Sequence, residues 1–77
     1  MIEKNLMRRI EINPRIMLGK PVIKGTRFPV YLLIEKIAYG ATHEKILQQY
    51  PFLREDDIRA ALLYASKTVA REEVFAF

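Results

Sequence analysis

The sequence predicts a mainly α-helical domain: a three-helix bundle in helix-turn-helix order, preceded by a short two-stranded β-ribbon. Three observations support this fold class. Apolar and polar residues alternate near the N-terminus, apolar residues recur at helical spacing in three later segments, and Gly or Pro separates the segments. The 77 residues are enough for one domain, residues 1–77, with a single core.

The β-ribbon is predicted over residues 8–27. Ile10 and Ile12 alternate with charged residues, which is the two-residue period of a half-buried strand. A second extended piece lies between Gly19 and Gly25, and the residues between the two pieces are enough to reverse the chain. Because so short a ribbon is marginal alone, we expect it to pack on the helices or to pair with a second chain.

The three helices are indicated by their ends as well as by their apolar spacing. Pro29 suits the start of the first helix, and Gly40 suits the left-handed position beyond its end. Thr42 is the expected N-cap of the second helix, and Pro51 ends it. The third helix opens with three acidic residues, which the helix dipole favours, and an apolar tail follows it. The predicted helices cover about residues 30–39, 43–50 and 55–72, and the tail covers residues 73–77.

Positive charge is concentrated in the first 27 residues. They hold seven Lys and Arg against two Glu, whereas the remaining residues hold six basic and seven acidic side chains. A clustered basic region is the electrostatic footprint of a nucleic-acid-binding surface, although many small domains are mildly basic for solubility alone.

The most distinctive segment is GKPVIKGTRFP, residues 19–29. Main-chain N–H groups at the start of the first helix, the Thr26 hydroxyl and Arg27 could together hold a phosphate. The alternative is a tight turn in which Gly25 supplies an unusual backbone angle and Thr26 or Arg27 bonds to the main chain. The spacing does not match a nucleotide-binding P-loop. The candidate DNA-binding residues of the chain are Arg8, Arg9, Lys20, Lys24, Thr26, Arg27, Arg54 and Arg59.

The acidic start of the third helix argues against DNA binding. In a helix-turn-helix protein the N-terminal residues of this helix point at base edges. Only Arg54 and Arg59 could donate to guanine there, and the acids of residues 55–57 would repel phosphates. A protein-interaction module or scaffold without DNA binding therefore remains the alternative.

No catalytic, cofactor or metal site is predicted. His43 has no second soft ligand, and Ser66 has no base nearby in the pattern. We therefore expect a protein that is not an enzyme and needs no cofactor. The chain has neither a membrane-spanning run nor a secretory signal, so we expect a cytoplasmic location without membrane contact.

Five strings of the sequence carry a resemblance: INP at 12–14, GKPVIKGTR at 19–27, GATHE at 40–44, YPFL at 50–53 and DIRAALLYA at 57–65. In their order and spacing they resemble the bacterial family catalogued as domain of unknown function 433, which is related to VapB-type antitoxins, over about residues 10–73. The sequence departs from the family's pattern at Asn13, where Asp is common, at Leu18, where a second Gly is common, and at Arg54, where Ser or Thr commonly caps the third helix.

The resemblance implies a homeodomain-like helix-turn-helix fold and a homodimer. It also implies pairing with a PIN-like ribonuclease toxin encoded by a neighbouring gene. On this basis we expect the antitoxin of a type II toxin–antitoxin pair, which neutralises the toxin and represses their shared promoter by binding operator DNA. We expect the toxin to dock on the apolar tail through Val74, Phe75 and Phe77.

Overall fold

The computed structural model describes the backbone of residues 2–76 and the side chains of residues 3–71. The fold is mainly helical with one two-stranded antiparallel sheet, as the sequence predicts. None of the helices in the described range is both long and apolar enough to cross a membrane. The elements are α1 (Ile2–Met7), β1 (Ile10–Glu11), a 3₁₀ turn (Met17–Gly19), β2 (Val22–Ile23), α2 (Val30–Ala38), α3 (His43–Gln49) and α4 (Glu55–Ala76).

The first helix, α1, is an element that sequence analysis missed. Its six residues are too few to show a helical period, and so short a helix is stable only when it packs on something larger. It packs on α4, where Leu6 is buried and Glu3 forms an ion pair with Lys67. The hydrogen bond from Lys67 and its charge lower the pKa of Glu3.

The ribbon is shorter than the sequence suggests. Strands β1 and β2 pair in antiparallel register, with Ile10 opposite Ile23, and both residues of β2 are buried. Ile12 was expected on the same buried side as Ile10, but it is 60% exposed because β1 ends one residue earlier. A bridge from Val22 to Pro29 then ties the ribbon to the beginning of α2.

The ends of α2 and α3 follow from local chemistry. Gly40 has a φ of 98°, and the next N–H, that of Ala41, donates to the Lys36 carbonyl at 2.9 Å, which closes the last turn of α2. The Thr42 hydroxyl accepts a hydrogen bond from the Lys45 N–H at 3.1 Å and so caps α3.

The core lies where α2, α3 and α4 meet the ribbon. Leu33, Ile46 and Ile58, one from each of these helices, have no exposed surface. The helical spacing of apolar residues in α4 predicts that Leu62 and Val69 face the core, and both predictions are wrong, since Leu62 is 37% exposed and Val69 is 52% exposed. Val69 is exposed because it lines an open groove between α2 and α4. The buried cluster consists of Ile23, Phe28, Val30, Leu33, Ile46, Leu53, Ile58 and Ala61.

Candidate nucleic-acid interface

The glycine turn after β2 is held together by Thr26. Gly25 has a φ of 81°, which L side chains rarely adopt, and the Thr26 N–H donates to the Ile23 carbonyl at 3.0 Å. The Thr26 hydroxyl donates to the same carbonyl at 2.7 Å and accepts from the Phe28 N–H at 2.9 Å. Its one proton is therefore used inside the turn. Thr26 shapes the turn, as the alternative interpretation holds, and it has no proton left for the predicted phosphate contact.

This turn lies beside the beginning of α4. On one side, the Lys24 N–H donates to the Arg9 carbonyl at 2.7 Å, and the Arg9 side chain reaches Asp57 in the first turn of α4. On the other side, the Phe28 ring packs edge-on against Tyr50, with centroids 4.7 Å apart, in the connection from α3 to α4. The glycine turn, whose Lys24 and Arg27 side chains are exposed, is thus tied to the start of α4 through Arg9 and Phe28.

Asp57 organises the start of α4. It is 5% exposed, and it is the one charged side chain that is buried among residues 3–71. One carboxylate oxygen accepts from the Arg54 N–H at 2.8 Å, and the other accepts from Arg9 Nη1 at 2.9 Å. Arg54 occupies the N-cap position, so Asp57 at the third helical position supplies the reciprocal half of a capping box. From the sequence, Asp57 is expected only to be an acid that the helix dipole favours, although its spacing of three residues from Arg54 is the signal that identifies the cap.

The other two acids of the first turn are also engaged. Arg9 Nη2 and Arg59 Nη1 each lie 3.7 Å from a carboxylate oxygen of Asp56. His43 Nδ1 lies 2.7 Å from Glu55 Oε2, which links the first turns of α3 and α4. Two of the predicted DNA-binding cations, Arg9 and Arg59, are therefore partnered by acids of the same surface.

The remaining predicted cations fall into two places. Arg8 precedes Arg9 in the turn between α1 and β1, and Arg54 is exposed at the start of α4. Lys20 lies elsewhere, because its Nζ is 5.0 Å from the centre of the Tyr31 ring in the groove between α2 and α4. Arg9, Arg54 and Arg59 lie at the start of α4, Arg8 adjoins Arg9 in the chain, and Lys24 and Arg27 belong to the glycine turn that is hydrogen bonded to Arg9. We refer to these six residues as the basic cluster.

The predicted partner-binding residues Val74, Phe75 and Phe77 lie outside the residues whose side chains the structure describes.

The chain is similar to several known proteins. The sequence model of a family described as protein of unknown function (DUF433) matches residues 10–65. An uncharacterized protein, y4eO, of Sinorhizobium fredii (strain NBRC 101917 / NGR234) is 39% identical over 59 residues, which are 77% of this chain and 27% of that protein. An uncharacterized protein of Archaeoglobus fulgidus is 58% identical over 24 residues, which are 31% of this chain and 67% of that protein.

A solved structure shares the fold. The crystal structure of a DUF433 member protein from Anabaena variabilis ATCC 29413 superposes with a TM-score of 0.77 at 29% identity, covering 96% of this chain and 74% of that one. The chain thus spans most of the solved relative but only about a quarter of y4eO.

Proposed function

We propose that this chain, which belongs to the DUF433 family, is the antitoxin of a type II toxin–antitoxin pair. It binds operator DNA at its own promoter and neutralises a PIN-like ribonuclease toxin encoded by a neighbouring gene. The observation that carries the DNA-binding part is the basic cluster, in which Arg9 contacts Asp57 in the first turn of the last helix and also bonds through its main chain to the glycine turn. The toxin-binding part rests on the sequence resemblance to VapB-type antitoxins.

The helix order supports a helix-turn-helix mode of binding. Helices α2, α3 and α4 follow one another with short connections, and α3 packs on α4. In proteins of this class the last helix enters the major groove while neighbouring segments contact the phosphate backbone. With α4 in that role, we expect the glycine turn, which is tied to the start of α4 through Arg9, to contact the phosphate backbone.

From the distribution of charge we infer that the protein binds DNA mostly through contacts to phosphates. Arg9 and Arg59 already have acidic partners, and these acids oppose the approach of phosphates to the centre of the cluster. Lys24 and Arg27 are exposed and form no ion pair within residues 3–71. We therefore assign the phosphate contacts to Lys24 and Arg27, with Arg8 and Arg54 at the edges of the cluster.

Replacing both Lys24 and Arg27 with alanine is expected to weaken binding to the protein's own promoter fragment. We expect the affinity to fall by about tenfold or more, and the slope of log affinity against log salt to decrease by about 2, because two phosphate contacts are lost. Both quantities are measured by fluorescence anisotropy of labelled DNA over a series of salt concentrations.

The matched control is the variant Lys4→Ala with Arg71→Ala. It removes the same net charge from exposed positions on α1 and on the far half of α4. It is expected to keep both the affinity and the salt slope near the wild-type values. Equal losses in the two double variants would mean that only net charge matters, and the assignment to the glycine turn would be wrong.

A second function, a protein-interaction module that does not bind DNA, is favoured by the acids at the start of α4. The three acids of residues 55–57 balance the charge of the three arginines that lie at this end of the helix. These arginines are Arg9, Arg54 and Arg59. If the wild-type protein captures the toxin but leaves the promoter fragment unbound even at low salt, this second function replaces the first.

Deletion of residues 74–77 is expected to abolish capture of the toxin and to leave the fold intact. The described core, with the residues packed against it, extends no further than Tyr64, so the deletion removes none of it. Capture is measured by a pull-down with the purified toxin, and folding by far-ultraviolet circular dichroism. Tyr39→Ala, which removes an aromatic side chain that is 86% exposed at the end of α2, should retain capture. Capture by the truncated chain would show that the toxin docks elsewhere.

A further inference from the structure

Four side chains of alternating charge form an ion-pair network that runs from the core to the surface at the start of α4. Asp57 is buried and accepts from Arg9 Nη1 at 2.9 Å, and Arg9 Nη2 lies 3.7 Å from Asp56 Oδ2. The other carboxylate oxygen of Asp56 lies 3.7 Å from Arg59 Nη1. The exposed fractions of the four side chains rise in this order, from 7% for Asp57 through 35% and 51% to 54% for Arg59. Arg59 is therefore connected, through two intermediate side chains, to the carboxylate that caps the helix.

Asp56 is the link that restrains Arg59. Its two carboxylate oxygens face different arginines, and Arg59 has no other ion pair within residues 3–71. An arginine at an exposed helix position otherwise samples many rotamers, and fixing it at the moment of binding costs conformational entropy. A carboxylate that Arg9 holds from the other side reduces this cost in advance. At 3.7 Å it attracts Arg59 without taking up one of its N–H groups in a hydrogen bond, so the guanidinium keeps its donors for a ligand.

The charges of this network favour a neutral acceptor over a phosphate. Two arginines and two aspartates have no net charge together, and the carboxylates repel a phosphate that approaches Arg59. The O6 and N7 atoms of guanine belong to an uncharged base, and they accept two parallel N–H groups of an arginine. In helix-turn-helix proteins the side chains at the start of the last helix face base edges, and Arg59 lies about one turn after Glu55, the first residue of α4.

We propose that Arg59 reads a guanine in the major groove and that Asp56 is the positioning residue that orients it. Asp56 then supplies preference for a sequence, whereas Lys24 and Arg27 supply affinity through phosphates. This inference rests on the proposed function, because it requires α4 to enter the major groove. It goes further in that an acid, which by charge alone weakens DNA binding, strengthens binding to the correct sequence.

Asp56→Asn distinguishes positioning from charge repulsion. Affinities for the promoter fragment and for a scrambled fragment of the same length and composition are measured by fluorescence anisotropy at one salt concentration. Loss of an acid by itself would tighten binding to both fragments. We expect instead that binding to the promoter fragment weakens by about tenfold, the scale of a lost arginine–guanine contact, while binding to the scrambled fragment stays the same or tightens. The variant should melt near the wild-type temperature, because both contacts of Asp56 are exposed.

Glu55→Gln is the matched control for the loss of charge. Glu55 belongs to the same helical turn and is 51% exposed, as Asp56 is, but it pairs with His43 and not with an arginine. The variant is expected to bind both fragments as tightly as the wild type or more tightly, and to leave the ratio of the two affinities unchanged. If Asp56→Asn also leaves this ratio unchanged, Asp56 acts only through its charge and the proposal is wrong.

A second comparison tests whether Asp56 acts through Arg59. In the Arg59→Ala background, Asp56→Asn is expected to cause no further loss of preference for the promoter fragment, because no guanidinium remains to be oriented. Replacing the guanines of the promoter fragment with the deaza analogue that lacks the N7 acceptor should weaken binding of the wild type more than binding of Arg59→Ala. An equal loss for the two proteins would overturn the proposal.

The behaviour of the wild type separates this proposal from the proposed function. If the wild type binds the promoter and scrambled fragments equally well, DNA binding stands but no base is read, and the positioning proposal alone is wrong. If it binds neither fragment at low salt, both are wrong.

Discussion

Phe28→Ala is expected to lower the free energy of unfolding by about 3 to 5 kcal/mol, the usual cost of removing a buried phenylalanine. Phe28 is 8% exposed and belongs to the main core cluster. Its ring contacts Tyr50 edge-on at an interplanar angle of 72° and lies 6.0 Å from the Phe52 ring. Because the ring joins the glycine turn to the connection between α3 and α4, its loss also removes one of the two contacts that position the turn. The measurement is urea denaturation followed by far-ultraviolet circular dichroism.

Phe52→Ala is the matched control. It removes the same type of side chain from the same aromatic cluster, but Phe52 is 56% exposed. We expect it to cost about 1 kcal/mol, the scale of an aromatic pair contact with little buried area. Similar losses for Phe28→Ala and Phe52→Ala would contradict the packing described here, since they would mean that burial does not distinguish the two rings.

The helices and their caps could be predicted because their causes are local. Thr42, Gly40 and the apolar spacing of α2 and α3 act within one or two helical turns, so the sequence displays them directly. The exposure of Val69 could not be predicted in this way. A helical period shows which face is apolar, but whether another element covers that face depends on the tertiary arrangement.

The candidate site was predictable only in part, because its key contacts are long-range. The basic residues of the turn are visible in the sequence, and so is the acidic start of α4. The contact between Arg9 and Asp57 joins residues 48 positions apart, and no spacing rule connects them. The pattern around Thr26 allowed two interpretations, and only the geometry of its hydroxyl distinguishes them.

Asp57→Ala is expected to lower the free energy of unfolding by about 2 to 3 kcal/mol, since it removes a helix cap and one partner of a partly buried ion pair. The cap bond to the Arg54 N–H contributes about 1 kcal/mol of this loss. The remainder comes from Arg9, which loses its closest partner while only 35% of its side chain is exposed. This second contribution stays below that of a fully buried pair because water reaches the guanidinium. Thermal and urea denaturation measure the loss.

Two further variants divide the two roles of Asp57. Asp57→Asn keeps an oxygen that can accept from the Arg54 N–H but removes the charge beside Arg9, so we expect about half of the loss seen with alanine. Asp56→Ala removes an acid that is 51% exposed and lies 3.7 Å from Arg9, and exposed pairs of this kind contribute about 0.5 kcal/mol or less. If Asp56→Ala destabilises as much as Asp57→Ala, the ion pairs as a group hold the start of α4 in place. In that case the buried carboxylate would have no special role in capping the helix.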